Sequence, residues 1–213
     1  MFRNIELFAA LFSILFHIAN AQTFSFDPSI GGTGDITYYG DDSSGNACLL
    51  PTVSDKLFAA YSGSSWSNGL QCGACATVTT SKGSVTVRLI NKCPECKPGS
   101  LDLSTTAFNK VAALSAGTVS NVSWKFVQCP VSGGLTVVWK EGSTQWWFGI
   151  QIRNSPWAIK NVEILKSGNY VSLIRQDYNF FTGEGAGSSV TVRVTDVKGK
   201  QTVLSGLTPG KNT

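Results

Sequence analysis

The segment Asn91-Lys-Cys-Pro-Glu-Cys-Lys-Pro-Gly-Ser-Leu-Asp-Leu-Ser104 combines three features on which the interpretation of this chain depends. It contains a Cys-x-x-Cys pair, it sets a carboxylate between two leucines, and it ends on a residue suited to begin a helix. Ser104 is a good N-cap, and the residues after it predict one helix over 105–114 that stops near Gly117. A carboxylate therefore lies immediately ahead of the helix.

That carboxylate, Asp102, has two interpretations. Apolar neighbours such as Leu101 and Leu103 raise the pKa of a carboxyl group, which suits a general acid. An acidic residue ahead of a helix also stabilises the helix N-terminus through the dipole, and position alone favours neither role. Glycoside hydrolysis would need a second carboxyl group, for which Asp41 or Asp42 is the candidate.

The first 21 residues have the pattern of a cleaved secretory signal peptide. Arg3 lies in a short polar start, residues 7–18 are mostly Leu, Phe, Ala and Ile, and Ala19 and Ala21 provide the small residues that a signal peptidase reads. The apolar run is shorter than the roughly 20 residues of a membrane span. We therefore expect a secreted protein, extracellular or in a cell wall, with no membrane association after cleavage.

The single histidine, His17, lies within this signal. Its removal excludes a Ser-His-Asp or Cys-His nucleophilic site and every His-ligated metal site from the mature chain. Arg3 and Glu6 leave together and their charges cancel, so the net charge stays at +4. Proteins that bind duplex nucleic acid carry much denser basic patches than this charge provides. We expect no metal, no cofactor and no nucleic-acid partner.

The cysteines allow two readings. Their positions are Cys48, Cys72, Cys75, Cys93, Cys96 and Cys129. The two Cys-x-x-Cys pairs have the spacing of a zinc ribbon. In the oxidising compartment that the signal peptide implies, an even number of cysteines instead favours three disulfides, which we expect here, with the pairing open.

The chain divides into two halves of different composition. The cysteines stop at Cys129, and residues 129–134 have the composition of a short linker. Basic and acidic residues balance over 22–132, so the second half carries the whole excess of +4. This asymmetry suggests a second domain that binds something neutral or acidic, although spare surface lysines would explain it equally.

Both halves are predicted to be mainly β-structure. Short runs with alternating apolar and polar residues are bounded by Gly, Ser, Asn or Pro. These runs cover residues 84–90, 122–127, 135–140, 148–153 and 189–194. The expected architecture is an all-β pair of domains with one short helix in the first.

Trp146 and Trp147 predict an exposed aromatic surface in the second half. Adjacent residues of a strand point to opposite faces, so both tryptophans cannot be core residues without a bulge. Exposed aromatic side chains indicate a binding surface, and Tyr178 is positioned to extend it. Because sugar rings present flat C–H faces, polysaccharide is the expected ligand. The alternative is one core tryptophan and one chance exposure.

These motifs together resemble the expansin family over nearly all of the chain after the signal. In the first half the resemblance rests on residues 36–40, Cys72-Gly-Ala-Cys75, residues 91–104 and Ala107-Phe108. In the second half it rests on residues 140–143, Trp146-Trp147, residues 150–154, Asp177-Tyr178-Asn179 and residues 194–196.

The resemblance implies a six-stranded double-psi β-barrel over residues 22–130 and an immunoglobulin-like β-sandwich over 134–213, which together form one polysaccharide groove. It implies site roles for specific residues. Asp102 matches the family's essential aspartate and Thr37 the strand threonine near it. The cellulose-binding row corresponds to Trp146, Trp147 and Tyr178, with Lys140 beside it. Tyr38 and Tyr39 add aromatic surface for the substrate.

The activity that the resemblance implies is loosening of contacts between cellulose and matrix polysaccharides, without chain cleavage, by a monomer. Asn91 and Cys93 depart from close bacterial relatives, which have an aspartate and a tyrosine there. Asp41 falls near the position of the base in related endoglucanases. A weak endoglucanase that uses Asp102 with Asp41 or Asp42, and a non-catalytic carbohydrate-binding matrix protein, therefore remain alternatives.

A possible modification site lies at Asn121. Asn121-Val122-Ser123 is an N-glycosylation sequon. The same residues fall at the start of a predicted strand, which makes a modified loop less expected.

Overall fold

The computed structural model describes residues 30–213, so the expected signal peptide and His17 lie outside the described residues. The strands are β1 (Gly32–Tyr38), β2 (Phe58–Ser62), β3 (Cys75–Thr80), β4 (Gly83–Cys93), β5 (Leu101–Leu103), β6 (Val119–Val127), β7 (Thr136–Trp139), β8 (Trp147–Arg153), β9 (Ile159–Lys166), β10 (Asn169–Ser172), β11 (Ile174–Arg175), β12 (Phe181–Glu184), β13 (Val190–Asp196) and β14 (Gln201–Leu207). Helix α1 spans Thr105–Val111. The all-β prediction is confirmed, and the five predicted strands overlap β4, β6, β7, β8 and β13.

The first six strands close into a barrel in the order β1-β5-β2-β4-β3-β6. The pairs β1–β5 and β2–β4 are parallel, and the others are antiparallel. The core of the barrel includes Ile36, Leu89, Leu101, Leu103 and Phe108. Because side chains alternate along a strand, the two leucines of β5 point inward and turn the residue between them outward.

Helix α1 begins at the predicted residue, Thr105, and ends at Val111, before the predicted residue 114. The Ser104 side chain accepts a hydrogen bond from the Ala107 amide at 3.1 Å, which is the expected N-cap. The helix stops at Val111, where Ala112 adopts an extended conformation and Thr80 Oγ1 donates to the Val111 carbonyl at 2.5 Å. A 3₁₀ turn then leads to the predicted stop near residue 117.

The remaining eight strands form two four-stranded sheets that share one core. Their orders are β10-β9-β13-β14 and β11-β12-β8-β7. The core between them includes Phe148, Ile150, Val162, Ile164 and Val192. We call these two sheets the sheet pair. Among residues 30–213, no helix has the length and apolar character that a membrane crossing requires.

All six cysteines form disulfides, as expected, and the zinc-ribbon alternative is wrong. The pairs are Cys48–Cys72, Cys75–Cys129 and Cys93–Cys96. The two Cys-x-x-Cys motifs are therefore used differently: the second pairs internally, whereas the cysteines of the first reach different partners.

The barrel and the sheet pair are joined by side chains that donate to backbone carbonyls across their contact. At distances from 2.9 to 3.3 Å, Gln151 donates to Cys48, Arg153 to Leu49, Arg175 to Gly69, and Trp66 to Asp177. Gln151 is completely buried, and burial lowers the pKa of the Arg175 guanidinium to about 10. These bonds, of which the one to the Cys48 carbonyl is buried, hold the two units in one relative position.

We predict that the disulfides differ in their contribution to stability according to the chain length that each encloses. Replacing Cys75 and Cys129 with Ala opens a loop with a sequence separation of 54, against 3 for Cys93 and Cys96. Loop-closure entropy then predicts a loss of about 4 kcal/mol for the first double variant and about 2 kcal/mol for the second. Urea denaturation of both variants measures the difference, and equal losses would contradict the prediction.

Candidate functional site

Asp102 lies on the outer surface of the barrel, between two leucines that occupy the core. Strand β5 pairs with β1 in a register that places Thr37 beside Asp102. Thr37 Oγ1 donates to Asp102 Oδ1 at 2.5 Å. The two residues predicted as the reactive pair are thus brought together, and the carboxyl group is half-buried.

The surroundings of Asp102 favour its protonated form. Burial raises the pKa of the Asp102 carboxyl, the hydrogen bond from Thr37 opposes this rise, and the negative charge of Glu95 adds to it. Glu95 lies in the turn closed by the Cys93–Cys96 disulfide, and Ser62 Oγ donates to the Cys96 carbonyl of that turn at 2.8 Å. Sequence reasoning did not identify Glu95 as part of the site.

A row of residues crosses four adjacent barrel strands on this face. The registers place Thr37 opposite Asp102, Asp102 opposite Ala60, and Ala60 opposite Asn91. Tyr39 joins this row because its hydroxyl is hydrogen-bonded to the Asn91 side chain. Burial raises the pKa of Tyr39 to about 12, with the Asn91 bond lowering it and the Asp102 charge raising it. The Tyr39 hydroxyl therefore stays protonated at neutral pH.

The side chains of Tyr38 and Tyr39 have different surroundings, although the sequence predicts one substrate-binding role for both. The Tyr38 ring packs on Phe108 of α1 at a centroid distance of 4.9 Å. Its hydroxyl donates to the Leu114 carbonyl at 3.3 Å. Strand alternation turns Tyr38 away from the face that carries Asp102, so its predicted contact with substrate lacks support from this arrangement.

Asp41 and Asp42 have local partners and do not contribute to the raised pKa of Asp102. Asp41 accepts hydrogen bonds from the Thr106 amide at 2.9 Å and the Thr106 hydroxyl at 2.8 Å, and Lys56 Nζ lies 3.8 Å away. Partial desolvation raises the pKa of Asp41, but these partners outweigh it and lower the pKa overall. Asp42 accepts from the Ser44 amide, which lowers its pKa. Each of the two carboxylates is thus held by its own local partners.

The two tryptophans are both exposed, 74% for Trp146 and 39% for Trp147. Trp147 is the first residue of β8, and its neighbour Phe148 points into the core. Trp146 precedes the strand, so alternation does not force it inward. Thr144 Oγ1 accepts from both tryptophan amides, at 3.2 and 3.3 Å, and fixes the hairpin that presents them.

Tyr178 and Lys140 lie together beside the same sheet. Tyr178 occupies the turn between β11 and β12, with its ring 6.0 Å from Phe180 and 6.0 Å from Lys140 Nζ. Lys140 lies over Gly149 of β8. A Cβ atom added to Gly149 would lie only 3.0 Å from the Lys140 Cβ. We call Trp146, Trp147 and Tyr178 the aromatic surface.

The sheet of the aromatic surface and the Asp102 face are connected through Gln151, the Cys48 segment and Asn91. Alternation along β8 places buried Gln151 on the same sheet face as Trp147, and Gln151 donates to the Cys48 carbonyl. The preceding residue, Ala47, donates its amide to Asn91 Oδ1 at 3.0 Å. Asn91 in turn contacts Tyr39. The sheet that displays the tryptophans thus docks on the barrel beside the strand row of Asp102.

Two other features of the sequence, its possible metal ligands and its sequon, fall within residues 30–213. Within that range, no three His, Cys, Asp or Glu side chains are grouped to hold a metal ion. Asn121 is exposed and has a φ of 56° at an irregular position of β6, where the pairing with β1 shifts register. The sequon is therefore accessible even though it lies in a strand.

Comparison with known proteins gives the family. The expansin YoaJ of Bacillus subtilis is 36% identical over 173 residues, which cover 78% of this chain and 74% of the relative. The chain belongs to the expansin family. No protein-family model matches this expansin. Expansin-like protein 1 of Dictyostelium discoideum is 31% identical over 93% of this chain and 74% of its own length.

The overall fold is also that of an expansin. The crystal structure of the Clavibacter michiganensis expansin superposes with a TM-score of 0.79 at 31% identity, covering 86% of this chain and 95% of the other. A variant of the Clavibacter protein was solved in complex with cellohexaose, and it matches with a TM-score of 0.78. The resemblance inferred from the motifs is confirmed.

We predict that Asp102 and Asp41 affect stability with opposite dependence on pH. Because the folded pKa of Asp102 is raised, its contribution to stability is present below the unfolded pKa of about 3.9 and is lost as the pH rises through the folded value. As the pH rises from about 3 to about 7, the stability of Asp102→Asn is therefore expected to increase relative to that of the wild type. Urea denaturation at both pH values measures this gain.

Asp41→Asn is the matched control. The folded pKa of Asp41 is lowered, so its contribution is present above the unfolded pKa and is lost as the pH falls through the folded value. This variant is expected to lose stability relative to the wild type as the pH rises. The same sign of change for both variants would contradict the assigned environments.

Proposed function

We propose that this expansin is a secreted, non-hydrolytic protein that binds cellulose and disrupts contacts between cellulose and matrix polysaccharides. The observation that carries the proposal is that Gln151 and Asn91 connect the sheet of the aromatic surface to the barrel strands of the Asp102 face. The two surfaces are thus held in one relative position, so that one glucan chain can contact both. The cellohexaose complex of the related Clavibacter expansin supports cellulose as the ligand.

The aromatic surface anchors the glucan. Trp146 and Trp147 are exposed beside each other, and Tyr178 lies next to Lys140 on the same sheet. Each stacked aromatic ring contributes about 0.5–1.5 kcal/mol beyond burial, by analogy with aromatic pairs. Three such contacts hold a chain firmly enough to bind and weakly enough to release it.

The Asp102 face holds the glucan by hydrogen bonds. Thr37 already donates to Asp102, and the protonated Tyr39 hydroxyl provides a donor and acceptor nearby. Hydrolysis with inversion would require a base carboxylate on the opposite side of the sugar, and Asp41 and Asp42 are engaged by their own partners. The face therefore provides hydrogen-bonding groups that bind and displace sugar hydroxyl groups.

A weak endoglucanase is the second candidate, and Glu95 is the observation that favours it. Glu95 is the carboxylate whose charge acts on Asp102, and the raised pKa of Asp102 suits a general acid. In this mechanism Asp102 protonates the leaving oxygen, and Glu95 replaces Asp41 or Asp42 as the base. A carbohydrate-binding matrix protein without loosening activity is distinguished by the assays below.

We further infer a two-domain secreted monomer. Separate cores support a double-psi barrel domain over residues 22–130 and an immunoglobulin-like domain over residues 134–213, preceded by a signal peptide over residues 1–21. The two parallel pairs within the closed barrel are in keeping with the double-psi topology. Asn121 is exposed for N-glycosylation on the secretory route.

Replacing both Trp146 and Trp147 with Ala is predicted to abolish cellulose binding. The stacking of two exposed rings is lost, while the adjacent core residue Phe148 is unchanged. A pull-down with microcrystalline cellulose measures the bound fraction. Tyr170→Ala is the matched control, because Tyr170 is an aromatic residue of β10 in the other sheet. Undiminished binding by the double tryptophan variant would contradict the role of the aromatic surface.

Asp102→Asn is predicted to abolish loosening while it leaves cellulose binding intact. Creep of a heat-inactivated cell wall under constant load measures loosening, and release of reducing ends from swollen cellulose measures hydrolysis. The non-hydrolytic function predicts creep with wild type, none with the variant, and no reducing ends from either.

The remaining outcomes distinguish the alternatives. Reducing-end release by wild type, lost in both Asp102→Asn and Glu95→Gln, would establish the endoglucanase. Binding without creep by wild type would leave a carbohydrate-binding matrix protein.

A further inference from the structure

A cleft of about 380 Å³ lies where the barrel meets the sheet pair. Its walls come from both units: Leu50 and Arg88 belong to the barrel, and Ile152 and Arg153 to β8. Neither Asp102 nor the residues of the aromatic surface line it. A cleft of this size is within the usual range for a small-molecule or sugar site.

The charged side chains that line the cleft are both basic. Arg88 and Arg153 both line it, and no Asp or Glu side chain does. Within residues 30–213, neither arginine is ion-paired with an acidic side chain. Two arginines that line one cleft, with no acidic side chain among the lining residues, favour an anionic ligand.

The two guanidinium groups differ in how they are held. Arg153 Nε donates to Gln151 Oε1 at 2.5 Å and its Nη2 donates to the Leu49 carbonyl at 3.1 Å, so the group is fixed in place. The Arg88 guanidinium has no hydrogen-bond acceptor among residues 30–213. Arg88 also borders a neighbouring cleft that contains Asp55, but that carboxylate accepts from the Leu57 amide and is not within ion-pair distance of Arg88. Arg88 is therefore available to a ligand.

The rest of the lining suits a sugar ring. Trp157 lines the cleft, and Lys198 Nζ lies 4.7 Å from its ring centroid, which adds positive charge nearby. Ser155 also lines the cleft and provides a hydroxyl group. An aromatic ring and a hydroxyl beside two arginines are a combination that recognises a sugar carrying a planar carboxylate, because a guanidinium binds a carboxylate through two parallel hydrogen bonds.

We propose that this cleft binds a uronic acid residue of an acidic matrix polysaccharide, with the carboxylate between Arg88 and Arg153 and the sugar ring against Trp157. The inference rests on the proposed function only in taking a polysaccharide as the ligand. It assigns a second polymer to a second site: the aromatic surface holds neutral glucan, and the cleft holds an acidic chain. One molecule then contacts both polymers where they meet.

The test uses isothermal titration calorimetry on the full secreted protein with a trimer of galacturonic acid. The matched probe is the same trimer with its carboxylates methyl-esterified, which keeps the sugar and removes the charge. Binding is expected for the acid and not for the ester. Equal binding of the ester would overturn the proposal, as would equal competition by inorganic phosphate, which would reveal a general anion site.

Arg88→Gln is the decisive variant, because Arg88 has no side-chain partner to lose within residues 30–213. Loss of a charge-assisted contact predicts affinity for the acidic trimer reduced by about tenfold or more. Arg88→Lys keeps the charge without the bidentate geometry and is expected to be intermediate. Lys125→Gln removes one positive charge from an exposed position of β6 outside the cleft and is expected to bind like wild type.

Wild-type affinity in Arg88→Gln, or an equal loss in Lys125→Gln, would overturn the site. Cellulose pull-down by Arg88→Gln is expected to be unchanged. The site and the proposed cellulose function can therefore fail separately: loss of cellulose binding depends on the tryptophans, and loss of trimer binding depends on Arg88.

Discussion

The constraint on which the rest depends is the burial of two leucines in a strand of three residues. Strand β5 pairs with β1 on one side and β2 on the other, and Leu101 and Leu103 are fully buried in the barrel. Because alternate side chains of a strand face opposite ways, Asp102 must point outward. The register with β1 then brings Thr37 to it. Core packing thus positions the Asp102 carboxyl group.

The second requirement is that the barrel and the sheet pair keep one relative position. Hydrogen bonds to buried carbonyls, such as that from Gln151 to Cys48, maintain it, and they are costly to break because the carbonyl would be left without a partner. The same contact positions two surfaces at once. On one side it links the aromatic surface to the Asp102 face, and on the other it brings Arg88 and Arg153 to one cleft.

Much of the fold could be predicted from local sequence. The alternating runs became strands, Ser104 became the N-cap, and the adjacency of Trp146 and Trp147 correctly implied exposure. The helix end was predicted less well, and the carbonyl at that end is bonded by Thr80, a residue distant in sequence. Disulfide chemistry followed from the compartment that the signal indicates, but the pairing depends on which strands lie side by side, and spacing does not contain that information.

The sequence by itself determined the all-β class, the family, the acidic residue between leucines and the exposed tryptophans, because each follows from neighbours along the chain. Only the tertiary structure decided that Asp41 supports a helix, that Glu95 acts on Asp102, and that Tyr38 and Tyr39 have different surroundings. Only it brought Arg88 and Arg153 together. Electrostatic interactions depend on distance in space, and barrel closure and sheet docking set those distances.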